Sequence, residues 1–107
     1  MRFNYNDKKN IKVLKDSPYP LDYPHQIRKA PNKSGLYMLL NEKDEVIYIG
    51  KTENGKLKKE IKSNVGVIVN GEASKYRWFI TANDKVAEEL EKNWIEKYNP
   101  PFNQKDL

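Results

Sequence analysis

The sequence contains no cysteine, so disulfides, thiolate metal sites and a cysteine nucleophile are excluded. Histidine occurs once, as His25, which leaves no set of imidazoles for a zinc site. No apolar run approaches the roughly 20 residues that span a bilayer, and the opening MRFNYNDKKN lacks the apolar centre of a secretory signal. There is no Walker-type glycine loop and no Ser, His and Asp spacing suited to a triad. Repeats and low-complexity tracts are also missing. These absences predict a soluble cytoplasmic protein with no membrane partner.

What remains is a 107-residue chain, the size of one domain. It is 33% charged and 37% hydrophobic, so its core must be small. Seven Tyr, three Phe and two Trp still supply large apolar bodies to bury. The net charge of +5 is unevenly placed. Residues 1–33 carry eight Lys or Arg against Asp7, Asp16 and Asp22, whereas residues 34–107 carry twelve of each sign and sum to zero. A basic arm on a neutral body suits solubility alone, or an anionic partner, most often nucleic acid. The chain therefore divides into a basic, Pro-rich arm (1–33) and a domain (34–107).

Pro18, Pro20, Pro24 and Pro31 exclude a long helix from the arm. They leave extended chain, one helical turn near His25–Lys29 and a short strand at Ile11-Lys-Val-Leu14. Beyond Ser34 the signal is clearer. Leu36-Tyr-Met-Leu-Leu40 and Val46-Ile-Tyr-Ile49 read as buried strands joined by the polar turn Asn41–Glu45. Leu57 and Ile61, four apart among lysines, fit a short helix over 56–64. Strand and loop compete for Val67-Ile-Val69. Tyr76-Arg-Trp-Phe-Ile80 is a third strand, and Thr81–Asp84 offers N-caps for a helix over about 84–98, stopped by Tyr98-Asn-Pro-Pro101. The sum is an α+β fold, a small antiparallel sheet of about three strands flanked by helices.

Two features carry candidate chemistry. An even hairpin loop sets Tyr37 opposite Tyr48 or Gly50, so both phenols share one face of the sheet, and a bulge breaks that parity. Such a pair is equally explained as core packing with hydroxyls at the rim. In the last helix, Val86, Ala87, Leu90, Trp94, Ile95 and Tyr98 form one apolar arc, and Glu91 falls inside it. An inward carboxylate is costly unless paired or bound to metal. It is therefore a salt-bridge partner, a metal ligand or an acid/base group. Lys51, Lys56, Lys58, Lys59 and Lys62 follow Gly50, as a phosphate-holding cluster or a solvated face.

Gly35-Leu36-Tyr37, a short turn and Tyr48-Ile49-Gly50-Lys51 resemble the signature of the GIY-YIG nuclease superfamily. The tail from Ala87 through Glu91 to Tyr98-Asn-Pro-Pro-Phe-Asn103 resembles that family's closing segment, so the likeness covers residues 34–104. The resemblance implies an endonuclease that hydrolyses nucleic-acid phosphodiesters, DNA above all, with Mg²⁺ or Mn²⁺. It implies that Tyr37 activates the attacking water, that Tyr48 orients water or phosphate, and that Lys51 is a basic site residue. Glu91 matches the family's metal-binding carboxylate, and Asn103 a supporting Asn. Nucleic-acid contacts are expected at Lys51, Lys56, Lys58, Lys59, Arg28 and Lys29.

One position departs from the family. A helix Arg is usual, and here Glu60 stands in its place, or Lys59 if one fewer residue is inserted near Asn54-Gly55. Arg77, the only Arg after Arg28, substitutes if it faces the site. Two alternatives to an active nuclease remain: a catalytically silent domain that binds nucleic acid or a protein, and a purely structural module.

Overall fold

The computed structural model describes residues 1–63 and 71–103. Its elements are β1 (Lys15–Asp16), β2 (Leu21–Asp22), β3 (Gly35–Leu40), β4 (Val46–Lys51), α1 (Leu57–Ser63), β5 (Lys75–Ile80) and α2 (Asp84–Tyr98). Short 3-10 turns cover Tyr5–Lys9, Ile27–Lys29 and Pro101–Asn103. The sheet is antiparallel, ordered β1-β5-β3-β4, with β2 also pairing β5. The three long strands fall where sequence places them. Val67-Ile-Val69 lies outside the described residues.

Strand alternation divides the core in two. Tyr37, Leu39, Tyr76, Trp78 and Ile80 pack on one side with Leu57 and Ile61 of α1. Leu36, Met38, Leu40, Ile49 and Phe79 pack on the other with Leu90, Trp94 and Tyr98 of α2. The α1 pair is fully buried, and each such side chain contributes about 1.5–3 kcal/mol. Helix α2 starts where Asn83 accepts from Val86 N–H at 2.9 Å. It ends at Asn99, which sits in the left-handed region (φ 48°) before Pro100.

The hairpin corrects one expectation. Five residues separate Leu40 from Val46, which pair with each other, and an odd loop alone puts Tyr48 on the face opposite Tyr37. A bulge beside Leu39/Leu40 then shifts the register by one, giving Leu39↔Tyr48 and Tyr37↔Gly50. The bulge restores the shared face instead of breaking it.

Residues 1–33 are built into the fold. Ile11 is 92% exposed, and the expected strand at Ile11–Leu14 gives way to the two-residue β1 just beyond it. Both β1 and β2 pair with β5, while Leu21, Tyr23, Ile27 and Ala30 enter the α1-side core. The Tyr76 hydroxyl donates to Gln26 C=O at 2.6 Å, and burial pushes that phenol up to about 12. The helical turn expected near His25–Lys29 is the 3-10 turn Ile27–Lys29. The outer border of β4 is also occupied, with Val46 N–H donating to Met1 C=O at 2.8 Å beside an Arg2↔Glu45 bridge.

Candidate active site

Gly50 builds the centre of the site. A Cβ there would stand 2.5 Å from the Tyr37 ring, so only glycine lets that phenol lie across β4. Tyr37 is almost wholly buried, and its ring centroid is 6.1 Å from that of half-buried Tyr48. Desolvation raises the Tyr48 pKa above the usual phenol value. The Glu91 and Glu60 carboxylates push it up further, while a hydrogen bond with Tyr37 opposes them.

Two carboxylates therefore act on this phenol from different helices. Glu91 is half-buried, and burial raises its pKa, with Glu88 adding to the shift and Lys51 and Lys92 opposing it. It makes no hydrogen bond or ion pair among the described residues. Glu60, rather than exposed Lys59, is the α1 residue whose charge is felt at Tyr48. Lys51 leaves β4 nearby, 4.0 Å from Glu53. Tyr37, Tyr48, Lys51, Glu60 and Glu91 thus form one cluster. Asn103 reaches it from outside the sheet: its side chain accepts from Ile49 N–H at 2.7 Å and donates to Ile49 C=O at 2.8 Å.

Arg77 lies elsewhere. Its neighbour Trp78 pairs with Tyr37, so Arg77 takes the opposite face. There it is 2% exposed, with its guanidinium 4.7 Å from the Phe3 ring centroid and 5.1 Å from that of Tyr5. Arg77 cannot replace a site arginine from that position. The predicted contacts Arg28, Lys29, Lys56 and Lys59 are exposed, and Lys58 is half-buried.

Sequence reasoning missed a second layer. Buried Thr52 accepts from Gly35 N–H at 3.1 Å and donates to Asp84 at 2.5 Å. The other Asp84 oxygen accepts from Gly55 N–H at 3.1 Å. These bonds tie the ends of β3 and β4 and the start of α1 to the first turn of α2. Thr52, with Ser34 and Gly55, holds the Asp84 carboxyl below its ordinary value. An acid in the first turn of a helix was readable, but its reach back to Thr52 was not.

Among the described residues, no three His, Cys, Asp or Glu side chains gather to hold a metal ion. A lone carboxylate still suits one class of ion, the hard divalent cation that keeps several waters and binds through one or two carboxylates plus substrate phosphate. Glu91, uncommitted and beside two phenols, fits that donor set.

Residues 33–104 match the family described as the UvrC-like GIY-YIG domain. UvrABC system protein C from Mycoplasma mycoides is 36% identical over 85 residues, 73% of this chain. Its counterpart from Clostridium tetani is 35% identical over 92 residues, 77% of the chain. The chain spans only 14% of the length of either relative. The GIY-YIG N-terminal endonuclease domain of UvrC from Thermotoga maritima, solved with its catalytic magnesium, superposes with a TM-score of 0.63 at 30% identity. That match covers 75% of this chain and 98% of that domain. The family match over residues 33–104 and the shared fold agree, and the chain belongs to the UvrC-like GIY-YIG family.

Proposed function

We propose that the domain is an endonuclease that hydrolyses DNA phosphodiester bonds, with Mg²⁺ or Mn²⁺ held by Glu91. The observation that carries this reading is the uncommitted, half-buried Glu91 beside the Tyr37 and Tyr48 phenols. A bound divalent cation supplies charge stabilisation at the phosphoryl and leaving oxygens. Tyr37 accepts the proton of the attacking water, and Tyr48 orients that water or the phosphate through its hydrogen bond with Tyr37. Lys51 draws the phosphate toward the phenols, and Asn103 fixes β4 between Tyr48 and Gly50. Because phenols ordinarily titrate near 10, proton acceptance by Tyr37 predicts a rate that climbs as pH rises above neutral. Target choice is assigned to the basic segment 1–33 or to a protein partner.

Glu60 supports a second reading, a domain that binds nucleic acid without cutting it. Its carboxylate acts on Tyr48 where phosphate charge must be accommodated, and it repels that charge. One assay separates the readings. Supercoiled plasmid and single-stranded DNA are incubated with the protein in Mg²⁺, Mn²⁺ or EDTA, beside Glu91→Gln. Metal-dependent nicking that Glu91→Gln abolishes supports the nuclease. Binding without nicking in every condition supports the silent domain.

A further inference from the structure

Most cations with a carboxylate in reach are already paired. Lys8 meets Asp16 at 3.4 Å, Lys75 meets Asp44 at 2.7 Å, and Lys97 meets Asp7 at 2.9 Å. A different pattern holds where the turn at Ile27–Lys29 packs against α1. Pro24, His25, Ile27 and Arg28 from one segment, with Lys58 and Lys62 from the other, line a cleft of about 340 Å³. No acidic side chain lines it, and none of Arg28, Lys58 and Lys62 has an ion-pair partner among the described residues. The floor is apolar, made by the Pro24 ring and buried Ile27, and the lysine stems add to it.

The cleft is held in shape by the fold. Ile27 and Ala30 are anchored in the core that also contains Tyr37, Leu57 and Ile61, so cleft and phenols share one face of the sheet. Tyr76 grips Gln26 C=O, and the Gln26 side chain accepts from Asp22 N–H at 2.9 Å. Arg28 therefore stands on a braced segment, and Lys58 and Lys62 on a helix anchored by buried Leu57 and Ile61, which lowers the backbone ordering cost of binding. The volume lies at the lower end of the roughly 300–1,000 Å³ typical of small-ligand pockets. A paired duplex backbone would touch the rim cations alone. A concave apolar floor beneath a cationic rim also takes a base, as single-strand sites do.

We propose that this cleft binds an unpaired nucleotide of a nucleic-acid strand, its base against Pro24, His25 and Ile27 and its flanking phosphates on Arg28, Lys58 and Lys62. The proposal rests on the reading of the domain as one that acts on nucleic acid, and it names the form of that substrate. It makes residues 24–28 part of the binding surface, with the strand continuing over α1 toward the phenols.

The test is fluorescence anisotropy of the full chain in EDTA with a labelled oligothymidine strand, the same strand built of abasic units, and a duplex. The triple variant Arg28→Gln/Lys58→Gln/Lys62→Gln is compared with Lys85→Gln/Lys92→Gln on α2, each checked for native circular dichroism. The wild type should prefer the oligothymidine over both the abasic strand and the duplex. The triple variant should flatten the slope of log K against log salt by about 2, at about 0.7 per contact on single strands. The α2 pair should leave that slope unchanged. An unaltered slope in the folded triple variant, or equal binding of abasic and normal strands, overturns the proposal. His25→Ala tests the base contact independently, since it should weaken oligothymidine binding and leave the abasic strand alone. Binding in EDTA needs no catalysis. Loss of nicking with the cleft intact therefore counts against the nuclease alone, and nicking with an unaltered slope counts against the cleft alone.

Discussion

Helix α2 carries two acidic side chains seven residues apart that meet opposite fates. At its first turn, Asp84 is saturated, accepting from Thr52 and Gly55 with its two oxygens. In its middle, Glu91 is half-buried with no hydrogen bond among the described residues. The pKa directions follow. Donors hold Asp84 down, whereas desolvation raises Glu91. The first acid is spent on holding the ends of two strands together, and the second is kept free at some expense in stability. A titratable group perturbed by burial and neighbouring charges in this way marks a candidate functional position.

Replacing Glu91 tests the contrast most severely. Glu91→Gln should reduce metal-dependent cleavage by about 100-fold or more. It should also raise the melting temperature slightly, by about 1–2 °C, because a destabilising charge is removed. Glu91 has a raised folded-state pKa, so its penalty is absent at pH below the ordinary carboxylate range and grows as pH rises through it. The melting gain should accordingly shrink in acid. A variant that melts lower at neutral pH, or cuts normally, contradicts the assignment.

Glu60→Arg comes next. A cation beside Tyr48 should raise cleavage by about a hundredfold, the scale of one restored electrostatic contact. An unchanged rate under the same plasmid assay shows that the α1 position does not touch the phosphate.

Asp84→Asn should leave chemistry nearly untouched and cost about 1–2 kcal/mol in chemical denaturation, the scale of a lost charged hydrogen bond. Its pH signature is opposite to that of Glu91. A depressed folded-state pKa contributes stability that is complete above the unfolded value near 3.9 and is lost as pH falls through the folded value. The variant's stability should thus fall less steeply in acid than the wild type's.

The smallest effect is spectroscopic. Glu91→Gln and Glu60→Gln should each move the Tyr48 phenolate titration toward lower pH, Glu91→Gln by more. The ultraviolet difference against Tyr48→Phe reads it directly.

Much of this was legible in the sequence, for definite reasons. The long strands and α2 declare themselves by run and period, and Glu91 stood out because a carboxylate interrupts an apolar arc. The hairpin parity was not legible, since the bulge beside Leu40 obeys no local signal. Arg77 was equally opaque: alternation within β5 sets it against Trp78, but only the β3–β5 register shows which face holds Tyr37. The basic segment read as an arm because two-residue strands have no period. Its membership of the fold depends on β5 lying alongside.

The placement of Asn103 bears on how the molecule behaves in crowded solution. Strand β4 is the border of the sheet, and a bare border invites pairing with foreign strands. Here the Asn103 amide offers Ile49 the acceptor and donor that a neighbouring backbone would supply, while Met1 and Arg2 occupy the ladder near Val46. A strand arriving from another molecule finds these rungs already taken. The same side chain that steadies the strand carrying Tyr48 and Gly50 thereby blocks part of that border, and Asn103→Ala should make the protein measurably more prone to aggregate on mild heating.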